Sequence, residues 1–254
     1  MDAVERFRAL VAGDWHLDEG ALAIAAGADE RLDRARWLGE LDRLAAGVSS
    51  FDGLLRRLFV EAAFAGNGAE YYDPRNSLLH HVLARRLGLP ITLSVVMIEV
   101  GRRAGIAFEG VAMPGHFLVR RAGTDDYVDA FGGGEVLDLA GCADRFRRTA
   151  GVGIPFGEHL LPTAQPPAVL SRVLENLRGV YRSAHRPVDL EWVLRMRLCL
   201  PGGGVEHTLE LGAAIGRQGR WLEASAFLQD ARAQWPAYAD RLTSAARAER
   251  AHLN

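Results

Sequence analysis

His116 and Asp129 are the two residues whose type and spacing best suit proton-transfer chemistry. Each sits in a short apolar run, GHFLV and YVDAF, and the turn-forming stretch Ala122-Gly123-Thr124-Asp125 separates the two. If a hairpin is centred on that turn, the imidazole lies opposite or nearly opposite the carboxylate. Register shifts of two residues keep both on one face of the sheet, and a slip of one separates them. A carboxylate beside an imidazole fixes its tautomer and stabilises its charged form, so that the imidazole can take a proton from a thiol or hydroxyl. Without a facing nucleophile, the same pair is a structural contact.

The elements that must position this pair are read from hydrophobic spacing. Before it, Asp73-Pro74 starts a turn, and Asn76 or Ser77 can cap the helix that follows. That helix runs through Leu78, Leu79, Val82, Leu83 and Leu87, with Gly88 expected to stop it. Pro90 then opens a second helix, at a position where its missing N–H costs nothing. The second helix is apolar nearly all round and should be the central buried one. Short antiparallel strands are expected over 108–112, 116–121 and 127–131. Gly132-Gly133-Gly134 forms a turn before 135–137. As a phosphate loop the triplet is weak, because no helix with a Walker-type lysine follows and the chain has no lysine.

Residues 1–65 read as packing helices: Ala3–Val11, one capped by Asp18 and running to residue 26, one over 30–46 and one over 51–64. After the strands, the Gly- and Pro-rich stretch 151–167 reads as a linker. The expected domains are therefore 1–150, with the candidate site, and a helical tail over 168–254. The remaining candidates are weaker. His80 and His81 are adjacent on a helix and should point in different directions. With no third ligand, no metal site is expected, and no cofactor. Cys142 and Cys199 read as small buried residues.

Composition excludes several classes. The net charge is −2 and all 30 cations are arginine, so no nucleic-acid partner is expected. No run approaches 18 apolar residues, and the N-terminal MDAVERFRAL lacks the apolar core of a signal peptide. The expectation is a cytoplasmic protein without a membrane partner.

Three runs together resemble a known family: YYDPRNSLLHHVLARRLGLPITLSVVMIEVGRRAGI, then GVAMPGHFLVR, then YVDAFGGG. They are similar to the SirB-like family of the transglutaminase-like superfamily. The resemblance implies an α+β fold: a helical N-terminal part, then a papain- and transglutaminase-like core with a small antiparallel sheet. The tail resembles a tetratricopeptide unit, with Leu211, Gly212, Ile215, Gly219, Trp221, Ala224, Leu228, Ala231 and Pro236 at the repeat's offsets. Active members of the superfamily carry a cysteine at the start of the central helix, then a histidine and an aspartate on successive strands. His116 and Asp129 match the last two, and Pro90 stands where the cysteine belongs. A helix N-terminus favours thiolate, but proline has no nucleophilic atom. The expectation is thus a non-catalytic protein that binds a protein or peptide partner, with Tyr72, Asp73, Asn76, Ser77, Thr92 and Ser94 as cleft residues. The alternative is a hydrolase or acyltransferase in which Ser94 or Thr92 serves a His116–Asp129 relay.

Overall fold

A buried helix and a five-stranded sheet frame His116 and Asp129 in the computed structural model, which describes residues 1–150 and 154–253. Gly151, Val152 and Gly153, the first residues of the expected linker, lie outside the described residues.

α1 (Ala3–Val11) opens with a reciprocal cap. Asp2 accepts from the Glu5 amide at 2.8 Å, and Glu5 accepts from the Asp2 amide at 3.0 Å. α2 (Leu17–Ala28) begins after His16, whose amide donates to Glu19. Asp18, the expected cap, instead lies in the first turn. Its buried carboxylate is drawn to Arg103 at 2.5 Å and Arg102 at 3.7 Å. Asp33 caps α3 (Arg34–Ala45), and Ser50 caps α4 (Phe51–Leu55). The helix expected over 51–64 changes character at Arg56–Glu61, where it widens to π-helix.

β1 (Ala65–Gly66) pairs in parallel with β2 (Leu87–Gly88), and α5 (Leu79–Arg85) lies between them in sequence. Two expectations fail here. Neither Asn76 nor Ser77 caps α5; its cap residue is Leu78, with no side-chain bond. The helix also stops earlier, on Arg86 at φ +60°. Gly88 is required for space: a Cβ there would sit 2.9 Å from Thr92 Oγ1 and 3.0 Å from Val82. α6 (Pro90–Arg103) follows with Pro90 in its first turn, and it is the buried central helix that its all-round apolar pattern demands.

The sheet comes next: β3 (Phe108–Val111), β4 (Leu118–Arg121), β5 (Tyr127–Asp129) and β6 (Glu135–Leu137). Then come α7 (Leu139–Ala150), β7 (Thr163–Ala164) and α8 (Pro166–Ser183). The spatial order is β6-β5-β4-β3-β7, with every pair antiparallel. β7 falls inside the stretch read as a linker and pairs with Gly110 and Val111 of β3. Leu118, Tyr127 and Leu137 pack with Cys142 and Phe146 of α7 and with Leu161 in one buried cluster.

The chain divides into two units. One is Trp15–Val173, which holds α2 to α7, the sheet and the start of α8. The other joins Met1–Asp14 to the residues from Leu174 onward. In this second unit α1 packs on α9 (Pro187–Arg197), followed by α10 (Val205–Gly216), α11 (Trp221–Asp230) and α12 (Ala239–Ala251), each against the next. Gly212 lets α11 approach α10, since a Cβ there would meet Leu228 at 2.6 Å. Val205, Leu228, Ala231, Leu242 and Ala246 close the core of these last helices. Among the described residues, no helix is long and apolar enough to cross a membrane.

Candidate functional site

β4 and β5 pair Val119 with Val128 and Arg120 with Tyr127. Continued, this register sets Asp129 opposite Leu118, two residues from His116 and on the same face. The pair is therefore diagonal, the two-residue offset that keeps both groups together. His116 Nε2 lies 2.9 Å from Asp129 Oδ1, and both side chains are buried. The contact is an ion-pair approach, off the line of an aligned hydrogen bond.

Asp129 is held from four directions. Its Oδ1 accepts from the amides of Phe131 at 3.0 Å and Gly132 at 2.9 Å. Its Oδ2 lies 3.0 Å from Arg145 Nη1, and Arg145 also bonds Glu135. Burial opposes the carboxylate charge, but the His116 imidazole, the Gly132 amide and the Arg145 guanidinium outweigh it. The carboxyl is held below its ordinary value. Arg145, on α7, is the partner that sequence reasoning missed.

The imidazole also meets one aromatic ring, the first of a row. Phe131 lies edge-on to His116 at 6.2 Å, and Tyr71 lies edge-on to Phe131 at 6.1 Å. Phe131 in turn packs on Gly66, where a Cβ would come within 2.6 Å of the ring. Gly66 pairs with Gly88, just ahead of Pro90. Tyr71 and Tyr72, 41% and 79% exposed, carry the aromatic row out to solvent.

The expected cleft residues take different places. Tyr72 is open, while Asp73 binds Arg75 at 2.7 Å and Arg85 at 3.3 Å. Asn76 is fully buried and ties the 67–71 loop together: its amide donates to the Glu70 carbonyl at 2.7 Å, and its Oδ1 accepts from Asn67 at 3.0 Å. Ser77 is buried with an unpartnered hydroxyl. Thr92 donates to the Asn76 carbonyl at 2.7 Å, and Ser94 to the Pro90 carbonyl at 2.7 Å. Both hydroxyls are thus spent on backbone. Among the described residues no thiol or hydroxyl is hydrogen-bonded to His116. Cys142, on α7, packs into the buried cluster under the sheet, where burial and the nearby Asp138 and Asp129 charges push its thiol up to about 12. Cys199 donates to the Arg195 carbonyl.

The His80 and His81 rings do not diverge as expected; their centroids lie 4.0 Å apart. Among the described residues, no three His, Cys, Asp or Glu side chains gather to hold a metal ion. Burial, then the His81 charge, lowers His80 from 6.5 to about 4. The unfolded chain takes this proton first. Stability present above pH 6.5 is therefore lost as pH falls from 6.5 toward 4, by about 1.4 kcal/mol per pH unit at the steepest point. Urea unfolding across pH 4 to 7 should show this slope, with most of it removed in His80→Phe. An unchanged slope in that variant would assign the acid sensitivity to other groups.

With this geometry in hand, comparison with known proteins gives consistent matches. The model of the transglutaminase-like superfamily matches residues 22–175. A UPF0162 protein of Xylella fastidiosa is 44% identical over 136 residues, 52% of this chain and 48% of its own. The chain thus spans about half the length of that curated relative. A UPF0162 protein of Pseudomonas aeruginosa is 32% identical over 211 residues, covering 77% of this chain and 76% of its own. Mouse F-box only protein 21 is 38% identical over 95 residues, 34% of this chain and 15% of its own. No solved structure matches. A mixed fold with a small antiparallel sheet, a matched core from α2 into α8, and the extended likeness to the Pseudomonas protein lead to one assignment: the chain belongs to the transglutaminase-like superfamily, among the UPF0162 proteins.

Proposed function

We propose that the protein is a non-catalytic transglutaminase-like module that holds a peptide segment of a partner protein in the cleft beside His116. One observation carries this reading: the imidazole of the His116–Asp129 pair packs edge-to-face with the Phe131 ring, and no nucleophile among the described residues bonds to it. Pro90 begins the helix where the superfamily resemblance expects cysteine, and Thr92 and Ser94 are committed to carbonyls. The exposed Tyr71–Tyr72 pair offers flat amphipathic area for a peptide, as aromatic anchors do at many interfaces. The 95 residues shared with F-box only protein 21 make up 15% of that protein, which suits a module built into larger chains. In the same reading the chain is SirB-like, and its last helices form a tetratricopeptide-like buttress.

Peptides selected from a random phage-displayed library on the full chain test the proposal. His116→Ala and Tyr72→Ala should each weaken the selected peptides by about tenfold, a loss of about 1.4 kcal/mol for one interface anchor. His116→Ala should still fold, because Asp129 keeps its two amides and Arg145. Peptide binding indifferent to both changes would remove the cleft from the proposal. Covalent labelling of Ser94 or Thr92 by an electrophilic acyl probe would restore a hydrolase or acyltransferase instead.

A further inference from the structure

Most sheltered arginines of the Trp15–Val173 unit have carboxylate partners; among the described residues Arg34, whose buried Nε is unpartnered, and Arg172 are exceptions, and Arg172 is the one that stands against the residue next to His116. Arg103 pairs with Asp18, Glu99 and Asp42, Arg145 with Asp129 and Glu135, and Arg85 with Asp73. Arg172, on α8, departs from this pattern. It is half-buried, and among the described residues it makes neither an ion pair nor a hydrogen bond. Its guanidinium carbon stands 5.9 Å from the ring centroid of Phe117, the residue after His116. Burial lowers its basicity, and the nearby Tyr71 phenol opposes that only when ionised. Tyr71 leads through Phe131 to His116, with successive centroid distances of 6.1 and 6.2 Å. A sheltered cation without a counter-charge therefore stands beside the exposed aromatic approach to the cleft.

Removing a guanidinium from bulk water costs free energy, which an arriving anion restores. The rigid fork of N–H donors fits a carboxylate through two parallel bonds. Phosphorylated segments are usually received by clusters of arginines. Here the other arginines near the cleft are already engaged: Arg75 and Arg85 with Asp73, and Arg145 with Asp129. One free guanidinium suits one negative charge.

We infer that Arg172 is the anion-recognition residue of the cleft and that the peptide it favours presents a carboxylate there, with Tyr71 and Tyr72 flanking the adjoining residue. The inference rests on the peptide-cleft reading and adds the chemistry of selection.

Three probes separate the two claims: N-acetylphenylalanine, its amide, and N-acetylglutamylphenylalaninamide. Each is titrated into the full chain while the Arg172 Nε–Hε NMR signal is followed, assigned by its disappearance in Arg172→Met. The acids should shift this signal saturably and bind about tenfold more tightly than the neutral amide, as expected for a charge-assisted bidentate contact. Read by isothermal titration calorimetry of the same probes, Arg172→Met should erase that preference, and Arg172→Lys should retain part of it. Preference for the first acid identifies a chain terminus as the source of the carboxylate, and preference for the third an acidic side chain. Equal binding of all three probes would overturn carboxylate recognition and leave the peptide cleft intact. Undiminished acid binding by a folded Arg172→Met would also overturn it. Absence of any shift would overturn it as well, and the peptide cleft would then stand or fall on the phage-selected peptides alone.

Discussion

Asp129→Ala should lower the unfolding free energy of the Trp15–Val173 unit by about 3–5 kcal/mol, the scale for breaking a buried charge pair. The carboxylate is fully buried and serves two backbone amides, an imidazole and a guanidinium. Alanine strands all of them. Asp129→Asn should cost roughly half as much, because an amide oxygen still accepts from Phe131 and Gly132 while the charge opposite Arg145 is gone. Urea unfolding at pH 7 checks the order, and equal losses would mean that the amide bonds contribute little. The pH dependence adds a second signature. A carboxyl held below its unfolded value of 3.8 stabilises the fold above that pH, and the contribution is lost as pH falls through the lower folded value. Asp129→Asn should abolish this strongly acid component and leave the His80 slope between pH 6.5 and 4 in place.

Gly134→Ala should cost about 3 kcal/mol, combining left-handed backbone strain with overpacking. Gly134 has φ +84°, and a Cβ there would enter the Phe59 ring. Its amide also donates to the Asp129 carbonyl at 2.9 Å, so displacement reaches the site. Gly133→Ala is the internal control. Its φ is +79° with open space around it, and backbone strain alone costs about 1 kcal/mol. Adding Phe59→Leu to Gly134→Ala should recover the steric share, as read from thermal midpoints. Equal destabilisation at 133 and 134 would leave the clash without effect.

These three glycines show what was legible in the sequence and what was not. The triplet reads as a turn, and it is one. That Gly132 supplies an amide to a buried carboxylate depends on a contact made only in the folded chain. α6 was readable because an all-round apolar run bounded by Pro90 has few other solutions. The diagonal between His116 and Asp129 was readable because side chains alternate with period two. α7 went unread, although Leu139, Cys142 and Phe146 fall at helical spacing, because charged residues interrupt that signal. Its Arg145 meets Asp129 across the fold, which no local pattern encodes. The caps expected at Asp18, Asn76 and Ser77 failed for a related reason. Short polar residues make good caps in isolation, but Asp18 and Asn76 find stronger tertiary partners in Arg103 and the 67–71 loop. Arg172 is legible only as one arginine among 30 until its missing counter-charge is seen.

The joining of Met1–Asp14 to the chain beyond Leu174 has a consequence for synthesis. α1 leaves the ribosome well before its packing partner α9, which begins at Pro187. At about 5–20 residues per second, the wait is roughly 10–35 s. Throughout it, Phe7, fully buried in the finished protein, lacks its mature surroundings. The whole Trp15–Val173 unit can emerge and fold in that interval. A segment left waiting in this way is a natural client for a nascent-chain chaperone, and the arrival of α9 releases it.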